Sequence, residues 1–128
     1  MEMASTSATP RELLKEILSE LNRGAGIQSS AIVSSDGLLV ASVMSEDVDA
    51  EAFAAMTATM LGAAETAFSE LKKGVAERVI VEGSRAKIVA VGAGKDLILV
   101  CMSDPSVQLG LILHQIRRSV EKVKKVFA

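Results

Sequence analysis

Three features of this sequence contain residue types that do chemistry in other proteins: a glycine-rich turn, one histidine and one cysteine. The run VGAGKDL, residues 91–97, has the composition of a loop that holds phosphate through backbone N–H groups. A phosphate loop of that kind is longer, has Ser or Thr after its lysine and leads into a helix. Here Asp96 follows Lys95 and precedes a strand-like run, and its negative charge would repel phosphates. The pattern therefore predicts a hairpin turn.

The histidine and the cysteine lack the neighbours that nucleophilic catalysis requires. His114 falls on the polar side of the last predicted helix, without a nucleophile or an orienting carboxylate beside it. Cys101 lies in an apolar run, where burial raises the pKa of a thiol and blocks access to it. Asp47 and Asp49 precede a predicted helix and are explained as caps, with no second ligand cluster for a metal. We expect no enzymatic activity, no cofactor and no metal.

Composition excludes some classes of partner. The chain has 128 residues, of which 49% are hydrophobic and 23% charged, as is typical of one domain with a well-buried core. A net charge of −2, three Phe and no Trp or Tyr disfavour nucleic-acid binding. The uncharged run at residues 52–64 is shorter than the about 20 residues of a membrane-spanning helix. We therefore expect neither a nucleic-acid partner nor membrane insertion.

The single cysteine indicates a reducing compartment, and the N-terminal residues lack the charged and apolar regions of a secretion signal. These features predict a cytoplasmic protein. Residues 1–8 are small and polar and are expected to form a flexible tail, and residues 9–128 are expected to form a single domain.

Helix and strand signals follow the order helix, two strands, helix, three strands, helix. Thr9, Pro10 and Glu12 form a capping box that starts the first helix. Asp36-Gly37 predicts a hairpin turn between the first two strands. The last helix is expected to start at Asp104-Pro105 and to run to the end of the chain. The other elements are expected at residues 10–23, 27–34, 38–44, from about Asp49 to Lys73, 77–82, 85–91 and 96–102.

The connections between strands are as short as hairpins, which predicts an antiparallel sheet. Every residue from Leu97 to Met102 is apolar, as in a strand that is covered on both faces. The fold class is therefore α+β, an antiparallel sheet with helices on both of its faces.

The second predicted helix has two contrasting faces. Its large apolar residues form one stripe that is expected to pack on the sheet: Phe53, Met56, Met60, Ala64, Ala67, Phe68 and Leu71. The opposite face has small residues: Ala55, Thr59, Gly62 and Thr66. An Ala-rich face could simply be solvated, since Ala favours helix, but a glycine within a helix costs about 1 kcal/mol relative to Ala. Because the other two helices have one apolar stripe each, we expect another molecule to cover this small face.

A second feature predicts self-association. The run at residues 77–82 alternates in polarity and starts a new set of hairpins, so it is a candidate edge strand. Arg78, Val79 and Ile80 would then be open to pairing with another chain. Two copies joined edge to edge, with their second helices side by side, would form a twofold homodimer.

The order of elements, the small-residue second helix, the hairpin SSDGLLVAS and the segment SDPSVQLGLILHQIRRSVEKV together resemble the Roadblock/dynein-light-chain family, and within it the prokaryotic MglB-like group. The resemblance covers about residues 10–127. It implies an α-β-β-α-β-β-β-α fold, a five-stranded antiparallel sheet with one helix on one face and two on the other, as in Roadblock and profilin.

The resemblance also implies how the protein assembles and what it binds. Members of the family dimerise through the second helix and the third strand, which correspond here to Ala55, Thr59 and Gly62 and to residues 78–80. They are associated with small Ras-like GTPases as activators, regulators or scaffolds, and the second-helix surface is the usual docking platform.

The expected function is a non-enzymatic homodimeric module that regulates or scaffolds a small Ras-like GTPase. The alternatives are a sensory domain that holds a small ligand against Met56 and Met60, or a purely structural assembly subunit. The last helix ends in a basic run that complements the helix dipole, and an acidic partner or an anionic membrane surface is the alternative explanation. That run comprises Arg117, Arg118, Lys122, Lys124 and Lys125.

Overall fold

The computed structural model describes residues 8–24, 26–45 and 47–128, so residues 1–7 of the predicted tail lie outside the described residues. The elements follow the predicted order. They are α1 (Pro10–Asn22), β1 (Ile27–Ser34), β2 (Leu39–Val43), α2 (Ala50–Leu71), β3 (Arg78–Glu82), β4 (Lys87–Gly92), β5 (Leu97–Ser103) and α3 (Leu109–Val126).

The strands form one five-stranded sheet in the order β2-β1-β5-β4-β3, and every neighbouring pair is antiparallel. The predicted fold class is therefore confirmed. β3 pairs only with β4, so the prediction of an edge strand is also confirmed. β2 forms the opposite edge.

The sheet is covered on both faces. One core cluster joins α1 and α3 to the sheet and includes Leu14, Ile116 and Leu99. The other lies beneath α2 and includes Leu61 and Val100. Since successive side chains of β5 enter opposite clusters, its continuous apolar run has cover on both sides, as predicted.

Local signals set most of the boundaries. Thr9 and Glu12 form the predicted capping box, in which the Glu12 N–H donates to Thr9 Oγ1 (3.1 Å). Asp49 caps α2 by accepting a hydrogen bond from the Ala52 N–H (3.1 Å). Gly37 supplies the positive φ (+91°) of the β1–β2 turn. The glycine-rich segment is the hairpin turn between β4 and β5, as predicted, because the Ala93 N–H donates to the Leu97 carbonyl (2.8 Å).

The predicted start of the last helix is wrong. α3 begins at Leu109, while Asp104 and Pro105 lie in a preceding turn. The Asp104 carboxylate accepts hydrogen bonds from the N–H (3.0 Å) and hydroxyl (2.7 Å) of Ser106, which closes a turn instead of capping a helix. Buried Lys87 also donates to the Val107 carbonyl (2.8 Å) and holds this segment against β4.

The predicted contact face of α2 is correct only in part, since Phe53 of the predicted stripe packs against the core beneath α2. Its buried residues are Ala54, Thr57 and Leu61, whereas Met56 is 58% exposed and Leu71 is 66% exposed. The sheet beneath α2 includes small residues, so the helix approaches through its own small side chains. The helix is therefore rotated from the predicted orientation, and large apolar side chains remain on its outer surface.

Candidate interaction surface

The residues that first suggested catalytic chemistry do not form a constellation. Cys101 is 1% exposed, and burial raises the pKa of its thiol to about 12, so the group is protonated at neutral pH. His114 is exposed on α3, on the opposite side of the sheet from α2. Among residues 8–24, 26–45 and 47–128, no cluster of His, Cys, Asp and Glu is suited to a metal ion.

The C-terminal third of α2 extends beyond its supporting sheet. Leu61, on the face that packs on the sheet, is 5% exposed. Phe68 follows seven residues later on the same face, yet it is 40% exposed. Every residue from 65 to 75 is exposed. A helix of 22 residues is roughly 33 Å long, whereas five strands span only about 20 Å. The face that packs on the sheet therefore continues past the sheet, where its side chains are exposed.

Other large apolar side chains lie beside this overhang. Their exposed fractions are 66% for Leu71, 75% for Val75 and 39% for Val81. Together with Phe68 we call them the apolar surface. Val81 lies on the α2 face of the sheet, because it pairs with Ile88, which packs into the core beneath α2. The apolar surface thus joins α2 to the edge strand β3.

The small face predicted for α2 lies on its other flank. Ala55, Thr59 and Thr66 are exposed, and Gly62 is half-buried. Thr59 and Thr66 donate their hydroxyls to the Ala55 (2.9 Å) and Gly62 (3.0 Å) carbonyls, so their hydroxyls are satisfied within the helix. A Cβ added at Gly62 would meet nothing within 4 Å. This flank is a shallow surface of small groups that a second chain can approach closely.

The edge of β3 offers its backbone for pairing. The Gly83 N–H donates to the Ala86 carbonyl (2.8 Å), which makes these residues a hydrogen-bonded pair at the end of the β3–β4 hairpin. Hydrogen-bonded and non-hydrogen-bonded pairs alternate along an antiparallel ladder. Val79 and Val81 therefore bond to β4, and the N–H and C=O groups of Arg78, Ile80 and Glu82 face outward. Arg78 is exposed, whereas Val79 and Ile80 are half-buried.

The structure thus places the predicted interface residues in two parts, a small flank on α2 and the outer edge of β3. Sequence reasoning missed Phe68, Leu71 and Val81 as surface residues. A signal for Phe68 was present, since it repeats the position of Leu61 after seven residues in a helix too long for the sheet. Nothing in the local pattern shows on which side of α2 the sheet lies.

Together these features define a three-layer α+β sandwich domain with one open apolar edge. The model of the Roadblock/LC7 domain matches residues 13–103. The chain belongs to the Roadblock/LC7 family. Two relatives from Methanocaldococcus jannaschii, the uncharacterized proteins MJ1340 and MJ0310, are 40% and 39% identical over 115 residues, which is 90% of this chain and 100% of each relative.

Solved structures show the same fold. Myxococcus xanthus MglB superposes with a TM-score of 0.85 at 20% identity, over 90% of this chain and 87% of that chain. The gliding protein MglB of Thermus thermophilus gives 0.83 at 20% identity, over 93% and 91%. Profilin II of Acanthamoeba castellanii gives 0.59 at 17% identity, over 84% and 94%. The resemblance to MglB and to profilin inferred from the sequence therefore holds at the level of the fold.

Among the helices in the described part of the chain, none has the length and apolar character of a transmembrane helix.

Proposed function

We propose that the protein is a homodimer whose two sheets join through their β3 edges. The sequence of β3, RVIVE, is self-complementary when two copies pair antiparallel about a twofold axis at Ile80. Arg78 then lies opposite Glu82 of the second copy, and Val79 lies opposite the second Val81. Opposite charges and β-branched side chains are the cross-strand pairs that stabilise a sheet.

The overhang of α2 supports the same arrangement. A second sheet continuing from β3 would lie beneath Phe68, which is 40% exposed in the single chain. Backbone geometry agrees, because the N–H and C=O groups of Ile80 face outward, where a second strand would bind them. The observation that carries the proposal is this open edge beneath an overhanging apolar helix face.

We propose further that the dimer acts without catalysis of its own, in the cytoplasm, by regulating or scaffolding a small Ras-like GTPase. The support is the resemblance of the whole chain to Roadblock proteins, which have that association, together with an exposed small-residue flank on α2. Met56 is 58% exposed on the outer surface of α2, so the structure does not favour the alternative in which methionines enclose a small ligand.

Purified Ras-like GTPases from the same genome test this function. Each is immobilised with GDP or with a non-hydrolysable GTP analogue, and binding of the protein is followed by biolayer interferometry. We expect one GTPase to bind the protein more tightly in one nucleotide state. Single-turnover hydrolysis and nucleotide-release rates, with and without the protein, then separate activation, exchange and scaffolding. Binding that is absent for every GTPase, or equal in both nucleotide states, would contradict the proposed function.

A further inference from the structure

The edge of the sheet opposite β3 contains a cleft whose shape follows from a β-bulge. Ile32 and Val33 are adjacent on β1, but their partners on β2, Ala41 and Leu39, are separated by Val40. Val40 is therefore the extra residue of the bulge. The bulge directs Val40 toward the α1 and α3 side of the sheet, where it packs against that core cluster. It lines a half-open cleft of about 590 Å³ between the start of β2, the β4–β5 turn and the end of α3.

The cleft has apolar walls and positively charged side chains beside them. Ala93, Leu97 and Phe127 line it together with Val40. Lys95 and Lys124 line it as well. Gly94, in the β4–β5 turn, has a positive φ of +109°. A Cβ built on Gly94 would lie 3.6 Å from Lys124 Cγ, so the aliphatic part of the Lys124 side chain lies along this turn.

A second cleft, of about 210 Å³, shares Val40 with the first and is lined by Arg11 and Lys15. These two side chains are four residues apart on α1 and lie on the same flank of that helix. The cationic side chains at this edge are therefore contributed by α1, the β4–β5 turn and α3. We call these residues, Arg11, Lys15, Lys95 and Lys124 with Val40 between them, the basic edge.

The charges of the basic edge are largely uncompensated within the described residues. Arg11, Lys15 and Lys95 have no carboxylate oxygen within 4.0 Å there, and Lys124 has one, from exposed Glu121, at 4.0 Å. Asp96, which follows Lys95, lines a different cleft, on the α2 face, together with Glu65. The whole chain has a net charge of −2, so the positive charge of the basic edge is a local concentration of cationic side chains.

We propose that the basic edge binds an acidic peptide segment of a partner protein, with an apolar side chain of that segment inserted beside Val40. Charge complementarity defines the acidic character of the partner, and the apolar walls define the anchor. Ala93 is 1% exposed and Leu97 is half-buried, so both are recessed, and Phe127, 55% exposed, is the one protruding apolar side chain that lines the cleft. A recessed floor accepts an inserted side chain, whereas a flat bilayer needs protruding apolar groups.

This binding site is separate from the proposed dimer interface. No residue of β3 lines either cleft, so pairing of two β3 strands does not occupy them. Failure of either proposal would leave the other unaffected.

Fluorescence anisotropy with a labelled peptide of sequence EELFEE tests the proposal. We expect saturable binding to the full chain, and a loss of about tenfold in affinity for the double substitution Lys95→Glu with Lys124→Glu. The matched control is Lys73→Glu with Arg85→Glu, which makes the same change in net charge at exposed positions away from the clefts and should bind as the wild type does. The peptide EEGSEE should bind at least tenfold more weakly, because it lacks the anchor.

Amide chemical shifts from nuclear magnetic resonance locate the peptide. We expect the largest changes at Val40 and Leu97 and none along β3. No binding of EELFEE, equal binding of EEGSEE, or equal loss in both double substitutions would overturn the proposal. So would association with vesicles of phosphatidylcholine and 30% phosphatidylglycerol in the absence of peptide binding.

Discussion

Thr57 is the one side chain among the described residues that has a buried oxygen without a hydrogen-bond partner. It is 0% exposed, at the contact between α2 and the sheet. The hydroxyls of Thr59 and Thr66 donate to the backbone carbonyl four residues earlier, whereas the hydroxyl of Thr57 makes no such hydrogen bond. A buried hydroxyl without a partner costs free energy that a methyl group of the same shape does not.

Replacing Thr57 by Val should therefore raise the free energy of unfolding by about 1 kcal/mol. Urea denaturation measured by circular dichroism checks this. Thr59→Val is the control, because that hydroxyl is exposed and satisfied, and its replacement should change stability little. A destabilised Thr57→Val variant would mean that the hydroxyl makes a contact worth more than its desolvation.

Cys101 predicts a pH dependence of stability. Burial raises the pKa of its thiol to about 12, from 9.0 in the unfolded chain. Between these values the unfolded chain loses this proton and the folded chain keeps it, so stability falls as pH rises, by up to about 1.4 kcal/mol per pH unit. Below pH 9 the contribution is constant.

The difference in unfolding free energy between the wild type and Cys101→Ala isolates this effect from lysine titration. We expect that difference to be constant from pH 7 to pH 8.5 and to shrink steadily at higher pH. A difference independent of pH up to 10.5 would show that the thiol ionises alike in both states.

At the level of elements, the sequence predicted order, type and most boundaries, because the signals were local. The capping box at Thr9, the turn at Gly37 and the apolar run of β5 each act within a few residues. The start of α3 was wrong because Asp104-Pro105 suits a turn as well as a helix start, and Lys87, which fixes the choice, is distant in sequence. The interface itself stays a prediction, and the exposed surface of α2 was predicted in part. Composition identified the small flank of α2, but the face of α2 that contacts the sheet depends on tertiary packing.

The overhang of α2 predicts that one substitution weakens the dimer without unfolding the chain. Phe68→Lys should leave the single chain folded, because the side chain is 40% exposed there. It should weaken the dimer by roughly 2 kcal/mol or more, since burial of a phenylalanine is lost in each copy. Leu111→Lys is the matched control, because Leu111 is 47% exposed but lies on α3, on the opposite face of the sheet from α2. Sedimentation velocity at several concentrations measures both; equal dissociation constants for the two variants would contradict a role of the overhang in assembly.

In the whole molecule, the two edges of the sheet have different characters. β3 is self-complementary and adjoins the apolar surface, which suits a second copy of the chain. β2 is bulged and flanked by cations, which suits an acidic segment and disfavours pairing of two such edges through like-charge repulsion. A dimer through β3 would retain the basic edge of each copy, since no residue of β3 lines its clefts.

Pairing of two β3 strands about Ile80 can be tested by exchanging the charges at the two ends of the strand. Molar mass from light scattering should be twice the 13.4 kDa of the chain for the wild type. Arg78→Glu alone and Glu82→Arg alone each place like charges opposite one another twice in the dimer, and we expect the dissociation constant to rise about tenfold or more.

The double variant with Arg78→Glu and Glu82→Arg restores both opposite-charge pairs, so its dissociation constant should return to within about threefold of the wild type. If the single and double variants all dimerise as tightly as the wild type, the two copies do not pair through β3. If the wild type has the mass of one chain, the protein is not a homodimer.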